Sequence, residues 1–484
     1  MTTQAPAVVD YDVRPVNKKE NRTPFYAKRV KIHPKRASGF FRRLKWIVMA
    51  VTLSIYYVTP WLRWDRGLGA PDQAVLIDFG HRRFYFFFIE LWPQEVYYLT
   101  GLLIMAGIGL FFMTSVAGRV WCGYTCPQTV WTDLFLVVER AIEGDRNARI
   151  KLDAAPLSFD KLRKRTSKHA LWLLIAMATG GAWVFYFADA PTLARQLVDF
   201  QAPAVAYGTI AILTLTTYVF GGLMREQVCT YMCPWPRIMG AMLDEESLVV
   251  TYHNWRGEPR GKHLKLQDTA KAGDCVDCGA CVVVCPMGID IRDGQQLECI
   301  TCALCIDACN GVMEKLGRPA NLIGYDTLSN DRRRAEGKPA HYRLWRPRTI
   351  LYAVLWSLLG LFMVYALATR GDLDISALHD RSPLFVRLTE GGLRNGYTIR
   401  ILNKQHAERH LVLRVENLPG AELSIVGQDG NTIDVPADDV RSLRAYVSLP
   451  AGAVKSASTN FSLAVSDKEG GASARYETVF RGPE

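Results

Sequence analysis

Five stretches of about 20 residues, at 44–62, 95–116, 170–188, 204–224 and 349–369, are almost free of charge, while the segments between them are dense in Lys and Arg. Each is long enough to cross the hydrocarbon core as a helix, so five transmembrane helices are expected. The first follows a long charged segment and so is not a cleavable signal peptide. Residues 84–92 (FYFFFIELW) are too short to span and read as an aromatic interfacial segment. Residues 128–142 (QTVWTDLFLVVERAI) place apolar residues at helical spacing, with Asp133 and Glu139 among them. They predict a helix lying on the cytoplasmic face and not a sixth span. After residue 370 the period changes. Short alternating runs at 397–402, 410–416, 421–426, 442–449, 460–466 and 474–480, separated by turns such as Gln428-Asp429-Gly430-Asn431 and Glu469-Gly470-Gly471, predict an antiparallel sandwich. It lacks the Cys and Trp landmarks of antibody domains. His406 and His410 are four apart, a spacing that a strand does not turn into a metal pair.

Charge orients the chain. Lys and Arg number 12 in residues 1–45, 10 in 117–169 and 17 in 225–348, against 4 in 63–94 and 1 in 189–203. The basic segments are therefore expected in the cytoplasm, with the C-terminal part outside. The formal net charge of +11 does not point to nucleic acid, because the positive residues flank the apolar stretches. The expected divisions are a basic cytoplasmic segment (1–43), a four-helix membrane region (44–224), a cytoplasmic iron–sulfur domain (225–348), a fifth spanning helix (349–369) and an outer sandwich domain (370–484).

The cysteines supply the chemistry. All 12 lie at or before Cys309, clustered at metal-ligand spacings, which excludes a secreted disulfide scaffold. Residues 275–286 read CVDCGACVVVCP and residues 299–310 read CITCALCIDACN. Both are Cys-x2-Cys-x2-Cys-x3-Cys, with Asn310 where proline is usual. Two copies are the signature of a module holding two [4Fe–4S] clusters. The last cysteine of each motif ligates the other cluster. Cys275, Cys278, Cys281 and Cys309 are thus assigned to one cluster, and Cys299, Cys302, Cys305 and Cys285 to the second. Gly279, Ala280 and Ala303 allow backbone N–H groups to approach the sulfides. Zinc is the competing reading, disfavoured by a fourfold cysteine repeat without histidine.

The other four cysteines form two matched motifs, Cys122-Gly-Tyr-Thr-Cys126-Pro127 and Cys229-Thr-Tyr-Met-Cys233-Pro234, each just past an apolar stretch. If helical, the i, i+4 spacing places each pair on one face. Met224 and Met232 lie nearby, and thiolate with thioether selects Cu(I) or an iron–sulfur cluster. These four cysteines are the candidate catalytic group, with Met232 as a further candidate ligand. Cu(I), a further cluster and a reversible dithiol all remain open, against the plain alternative of buried structural cysteine.

The segments WCGYTCPQTVWTDLF, CTYMCPWPR, YHNWRGEPRG, GDCVDCGACVVVCPMGIDIRDGQ and ECITCALCIDAC, in this order, resemble the FixG/CcoG/RdxA family of cytochrome c oxidase accessory proteins. The resemblance runs from about residue 40 to the C-terminus. It implies a bacterial inner-membrane polyferredoxin with an immunoglobulin-like C-terminal domain, serving assembly of a cbb3-type oxidase by reducing Cu(II) to Cu(I). It also implies partners among the oxidase assembly factors and a copper chaperone or transporter, besides membrane lipid. Two other readings compete: a quinol-linked electron relay to an outside reductase, and a non-enzymatic scaffold or redox sensor. No nucleotide-binding fingerprint identifies the electron donor.

Overall fold

The computed structural model describes residues 31–67, 70–261, 273–405, 407–453, 456–468 and 471–483. Most of the basic N-terminal segment and His406 therefore lie outside the described residues. The chain divides into two compact units: one drawn from Met1–Thr52, Met113–Met177 and Thr214–Leu344, the other from Leu53–Phe112, Ala178–Leu213 and Trp345–Glu484.

In chain order the helices are α1 (Phe40–Val58), α2 (Tyr97–Ala117), α3 (Val120–Tyr124), α4 (Pro127–Glu143), α5 (Arg146–Ala154), α6 (Phe159–Val184) and α7 (Ala190–Val198). They continue with α8 (Ala204–Thr217), α9 (Trp235–Met242), α10 (Asn254–Gly257), α11 (Ala280–Val283), α12 (Leu304–Lys315), α13 (Leu328–Ala335) and α14 (Pro347–Ala368).

Among the described residues, three helices are long and apolar enough to cross a membrane: Pro93–Ala117, Ala204–Met224 and Pro347–Ala368, with mean hydropathies of 2.0, 1.5 and 2.2. The expectation of five is corrected to three. The other two stretches are helical but mixed in character. α1 carries Arg42, Arg43 and Lys45 in its first turns, two of them buried, and the chain meets Pro60 two residues past its end. α6 begins FDKLRKRTSKH, so only its second half is apolar.

The first unit holds the cysteine motifs. Strands β4 (Val249–Tyr252) and β5 (Ile323–Asp326) pair antiparallel, Val250 opposite Tyr325 and Tyr252 opposite Ile323. They pack with α12 through Ile306 and Met313, and Cys275, Cys281 and Cys309 belong to the same core. The predicted amphipathic helix is α4. Its buried face includes Val130, Phe135 and Leu136, and also Asp133, Glu139 and Glu143. Those carboxylates are tolerated because each is paired. The Arg42 guanidinium donates to both Asp133 oxygens at 2.9 Å, and Arg149, Arg225 and Lys168 surround Glu139.

In the second unit, residues 84–92 form structure of their own. β1 (Val75–Asp78), β2 (Arg83–Phe86) and β3 (Ile89–Leu91) make an antiparallel meander. The predicted sandwich follows α14. One sheet runs β10 (Glu422–Ile425), β12 (Asp439–Leu449), β8 (Leu393–Asn403) and β6 (Leu373–His379), with β7 (Val386–Arg387) also on β8. The other runs β11 (Thr432–Val435), β9 (Arg409–Glu416), β13 (Ser458–Asp467) and β14 (Ser473–Arg481). Alternation sends Tyr397, Ile399 and Ile401 of β8 inward to meet Leu411, Leu413, Leu463 and Val465 from the facing sheet. His410 pairs with Asp434 across the β9–β11 ladder, Nδ1 to Oδ1 2.6 Å.

Candidate functional site

The two ferredoxin-type loops have one backbone solution used twice. Asp277 and Gly279 in the first loop have φ of 51° and 65°, and the equivalent Thr301 and Ala303 have 56° and 60°. Left-handed conformations cost non-glycine residues about 1–2 kcal/mol, and three of these four residues are not glycine. Alternating left-handed residues turn successive N–H groups inward, the concave arrangement that receives the sulfides of a cluster. Gly279 and Ala303 then cap α11 and α12.

The thiols fall into two neighbourhoods. Burial first, then the nearness of Cys281, Cys275 and Cys278, pushes the Cys309 thiol up to about 12. Burial, then Cys302 and Cys299, pushes Cys285 up to about 12 as well. Each fourth cysteine thus sits electrostatically with the opposite motif. A cavity lies among Cys285, Cys299, Cys302 and Cys305, with Cys281 also on its wall. Among the described residues no three such side chains close on a single metal ion. The sulfur-only donor set around a cavity fits a cluster.

The two motifs end differently because of the residue after the last cysteine. Pro286 follows Cys285, and α11 has stopped at Val283. Asn310 follows Cys309, and α12 runs on through it to Lys315. The Asn310 side chain accepts from Asn321 N at 2.7 Å and donates to Asn321 Oδ1 at 3.2 Å, tying the helix to the segment leading into β5.

The Cys-x3-Cys-Pro motifs also share a backbone device, though not the expected regular helix. Cys126 N donates to Trp121 O at 2.9 Å, and Cys233 N donates to Val228 O at 2.8 Å. Each is an i→i−5 closure; the second belongs to a π-helical turn at Val228–Met232. Pro127 then opens α4, and Pro234 stands at the N-cap of α9. Burial, followed by the neighbouring Cys126 and Cys229, pushes the Cys122 thiol up to about 12. Burial, followed by Cys126 and Cys233, does the same to Cys229. The four sulfurs of two sequence-distant motifs therefore share one locality.

Met239 brings a thioether to this locality. Its Sδ lies 3.5 Å from Cys122 Sγ and it is fully buried, whereas Met232 is 51% exposed. Sequence reasoning named Met224 and Met232 because they are near Cys229 and Cys233 along the chain. Met239 lies one turn into α9, and only the fold brings it to Cys122.

This group touches the second cluster loop. A β-carbon on Gly123 would lie 2.7 Å from Ile300 O and 3.1 Å from Cys302 Cα. Tyr124 Oη donates to Cys302 O at 3.3 Å, and Tyr325 Oη donates to Thr301 O at 2.6 Å. Arg119 also bridges the two, donating to Leu297 O and, at 3.3 Å, to Cys299 O. Sequence reasoning missed Arg119, Gly123 and Tyr124 as joining residues, since nothing in a linear spacing pairs residue 123 with residue 302.

Comparison with known proteins gives three family matches. Residues 224–328 match a family described as a 4Fe-4S dicluster domain, residues 98–143 a 4Fe-4S binding domain, and residues 363–483 the IG-like fold at the C-terminal of FixG. The nitrogen fixation protein FixG of Rhizobium meliloti is 56% identical, covering 98% of this chain and 96% of that protein. Proteins RdxB and RdxA of Cereibacter sphaeroides are 53% and 52% identical, covering 94% and 95% of this chain and 97% and 99% of theirs. With its dicluster loops, apolar helices and IG-like sandwich, the chain is an iron–sulfur electron-transfer protein and belongs to the FixG/RdxA family.

Proposed function

We propose that the chain reduces Cu(II) to Cu(I) at the four Cys-x3-Cys-Pro thiols, supplying copper for assembly of a cbb3-type cytochrome c oxidase. The observation that carries this reading is the contact between a sulfur-only group and a cluster loop, with Gly123 against the Cys302 backbone and Met239 against Cys122.

When bound, the two [4Fe–4S] clusters supply one-electron reducing equivalents. Cys275, Cys278, Cys281 and Cys309 would hold one, and Cys299, Cys302, Cys305 and Cys285 the other. The chain's remaining work is positional and electronic. Arg119 and Tyr124 hold the Cys122 turn on the Cys299–Cys302 loop. Cys122, Cys126, Cys229, Cys233 and Met239 present soft donors, which favour Cu(I) over Cu(II). The ligand set thereby stabilises the product of the one-electron step.

The site of action is the bacterial inner membrane, with the iron–sulfur part in the cytoplasm and the IG-like domain in the periplasm. The segments flanking the Ala204–Met224 helix support that orientation, with 1 Lys or Arg in residues 189–203 against 17 in residues 225–348. The cysteine-free IG-like domain would dock the assembly partners, among them a copper chaperone or transporter.

Serine at both Cys229 and Cys233 tests the proposal. The variant should lose bound copper by at least about tenfold in metal analysis of anaerobic protein, while its iron content stays at that of the wild type. Undiminished copper binding in that variant would overturn the assignment.

A further inference from the structure

We propose that an open cavity of about 460 Å³, lined by α4, α6, the end of the Ala204–Met224 helix and residues 31–32, binds the ring of an isoprenoid quinol. Its purpose, the delivery of electrons for copper reduction, rests on the copper reading; its geometry does not. The volume falls in the range of small-molecule sites. Glu139, Lys168, His169, Trp172, Gly222 and Arg225 stand on its wall.

Three features select the ligand. First, the wall is aromatic and polar at once, with the buried Trp172 stacked on Phe135 and flanked by two cations. Lys168 Nζ lies 4.8 Å and Arg225 Cζ 5.2 Å from the Trp172 ring centre. His169 Nδ1 is 2.9 Å from the Tyr218 hydroxyl. Second, the buried Glu139 keeps an acceptor to spare. Its Oε1 has no hydrogen-bond partner, the Lys168 ammonium standing 3.7 Å away, and its side chain is 1% exposed. An unsatisfied buried carboxylate oxygen is costly, and a ligand hydroxyl would relieve it. Third, each cation already has a carboxylate partner. Arg225 pairs with Glu139 at 2.9 Å, Lys168 with Glu143 at 2.9 Å, Arg165 with Glu143 at 3.0 Å and Lys31 with Asp153 at 2.7 Å. A lipid phosphate would have to displace a carboxylate, whereas a neutral ring that donates through O–H and accepts through C=O would not. Gly222 and Leu223, on the same wall, belong to an apolar helix beside which an isoprenoid tail can lie.

The reaction balances as one quinol and two Cu(II) giving one quinone, two Cu(I) and two protons. Both O–H bonds break, and the two electrons leave one at a time for the two copper ions. One proton passes to Glu139 Oε1. The other passes to His169 Nε2, with Nδ1–H donated to the Tyr218 oxygen. Both protons then go to water.

Binding of decylubiquinone and its reduced form to copper-free, full-length protein in detergent tests the inference, by equilibrium dialysis. Saturable binding to one site per chain is expected, weakened at least tenfold by Leu223→Trp, which fills the cavity, and by His169→Phe, which removes the acceptor. Excess phosphatidylglycerol should not compete. Retained iron content reports that each variant is folded. Absence of saturable binding, equal binding in both variants, or competition by phosphatidylglycerol would each overturn the proposal, the last assigning the cavity to an anionic lipid. Because no copper is present, intact quinone binding in a protein that fails to reduce Cu(II) would count against the copper reading alone.

Discussion

A β-carbon at residue 123 would press on Ile300 O at 2.7 Å, Cys302 Cα at 3.1 Å and Cys302 N at 3.2 Å, and all three atoms are backbone. No side chain there can rotate away, so Gly123→Ala must lift the Cys122 turn off the cluster loop. The expected result is a cupric reduction rate lowered by at least about tenfold, with iron content unchanged in the same preparation. An unaltered rate would show that the contact carries nothing. Cys309→Ser probes the crossed ligation. It takes one thiol from one of the two sets of four, so iron should fall from about eight to about four atoms per chain, the survivor being the cluster on Cys299, Cys302, Cys305 and Cys285. At this scale the eight ferredoxin cysteines were legible, because their spacing is a local property that the loop conformation repeats. The Met239–Cys122 contact was not, since it joins residues 117 apart in sequence. The effect of Asn310 was half legible. Its lack of a ring was plain in the sequence, but the extra turns of α12 and the bond to Asn321 depend on where the segment before β5 lies.

Elements were legible where one period held over their whole length. The runs at 397–402, 410–416, 421–426, 442–449, 460–466 and 474–480 emerged in β8, β9, β10, β12, β13 and β14. β11 has only four residues, and β6 follows α14 after four residues, so neither stood out as a run. The amphipathic helix at 128–142 emerged as α4 because its apolar face recurs at helical spacing despite three buried carboxylates. The expected count of spanning helices failed for an equally physical reason. α1 and α6 are each a polar helix and an apolar helix in one, and a window placed on the apolar half alone overstates them. The sandwich has a sharp test of its own. Leu463 is fully buried between the sheets, so Leu463→Ala should cost about 2–5 kcal/mol. The thermal unfolding of the IG-like part should shift down while iron content in the other unit is unaffected. A variant with unchanged unfolding would contradict the packing described for β13.

At the scale of the whole molecule, the proposed sidedness turns on α14. Pro347–Ala368 is apolar enough to span a membrane, and it separates the iron–sulfur part from the sandwich. Reporter fusions at Gly337 and Gly430 should therefore report opposite compartments, with Gly337 in the cytoplasm. Agreement between the two reporters would mean that α14 does not cross.

Electrons are proposed to reach copper through the sulfur group formed by Cys122, Cys126, Cys229 and Cys233, and the most direct measurement of that transfer is a count of Cu(I). Full-length protein is reduced anaerobically, freed of reductant and mixed with excess Cu(II), and the Cu(I) formed is titrated with a Cu(I)-specific chelator. Wild-type protein should yield about two Cu(I) per chain, one electron from each of two clusters. Serine at Cys229 and Cys233 should reduce the rate of that yield by at least about tenfold while the iron content stays at the wild-type value. Equal rates in the two proteins would contradict the copper reading and leave these four cysteines a structural role.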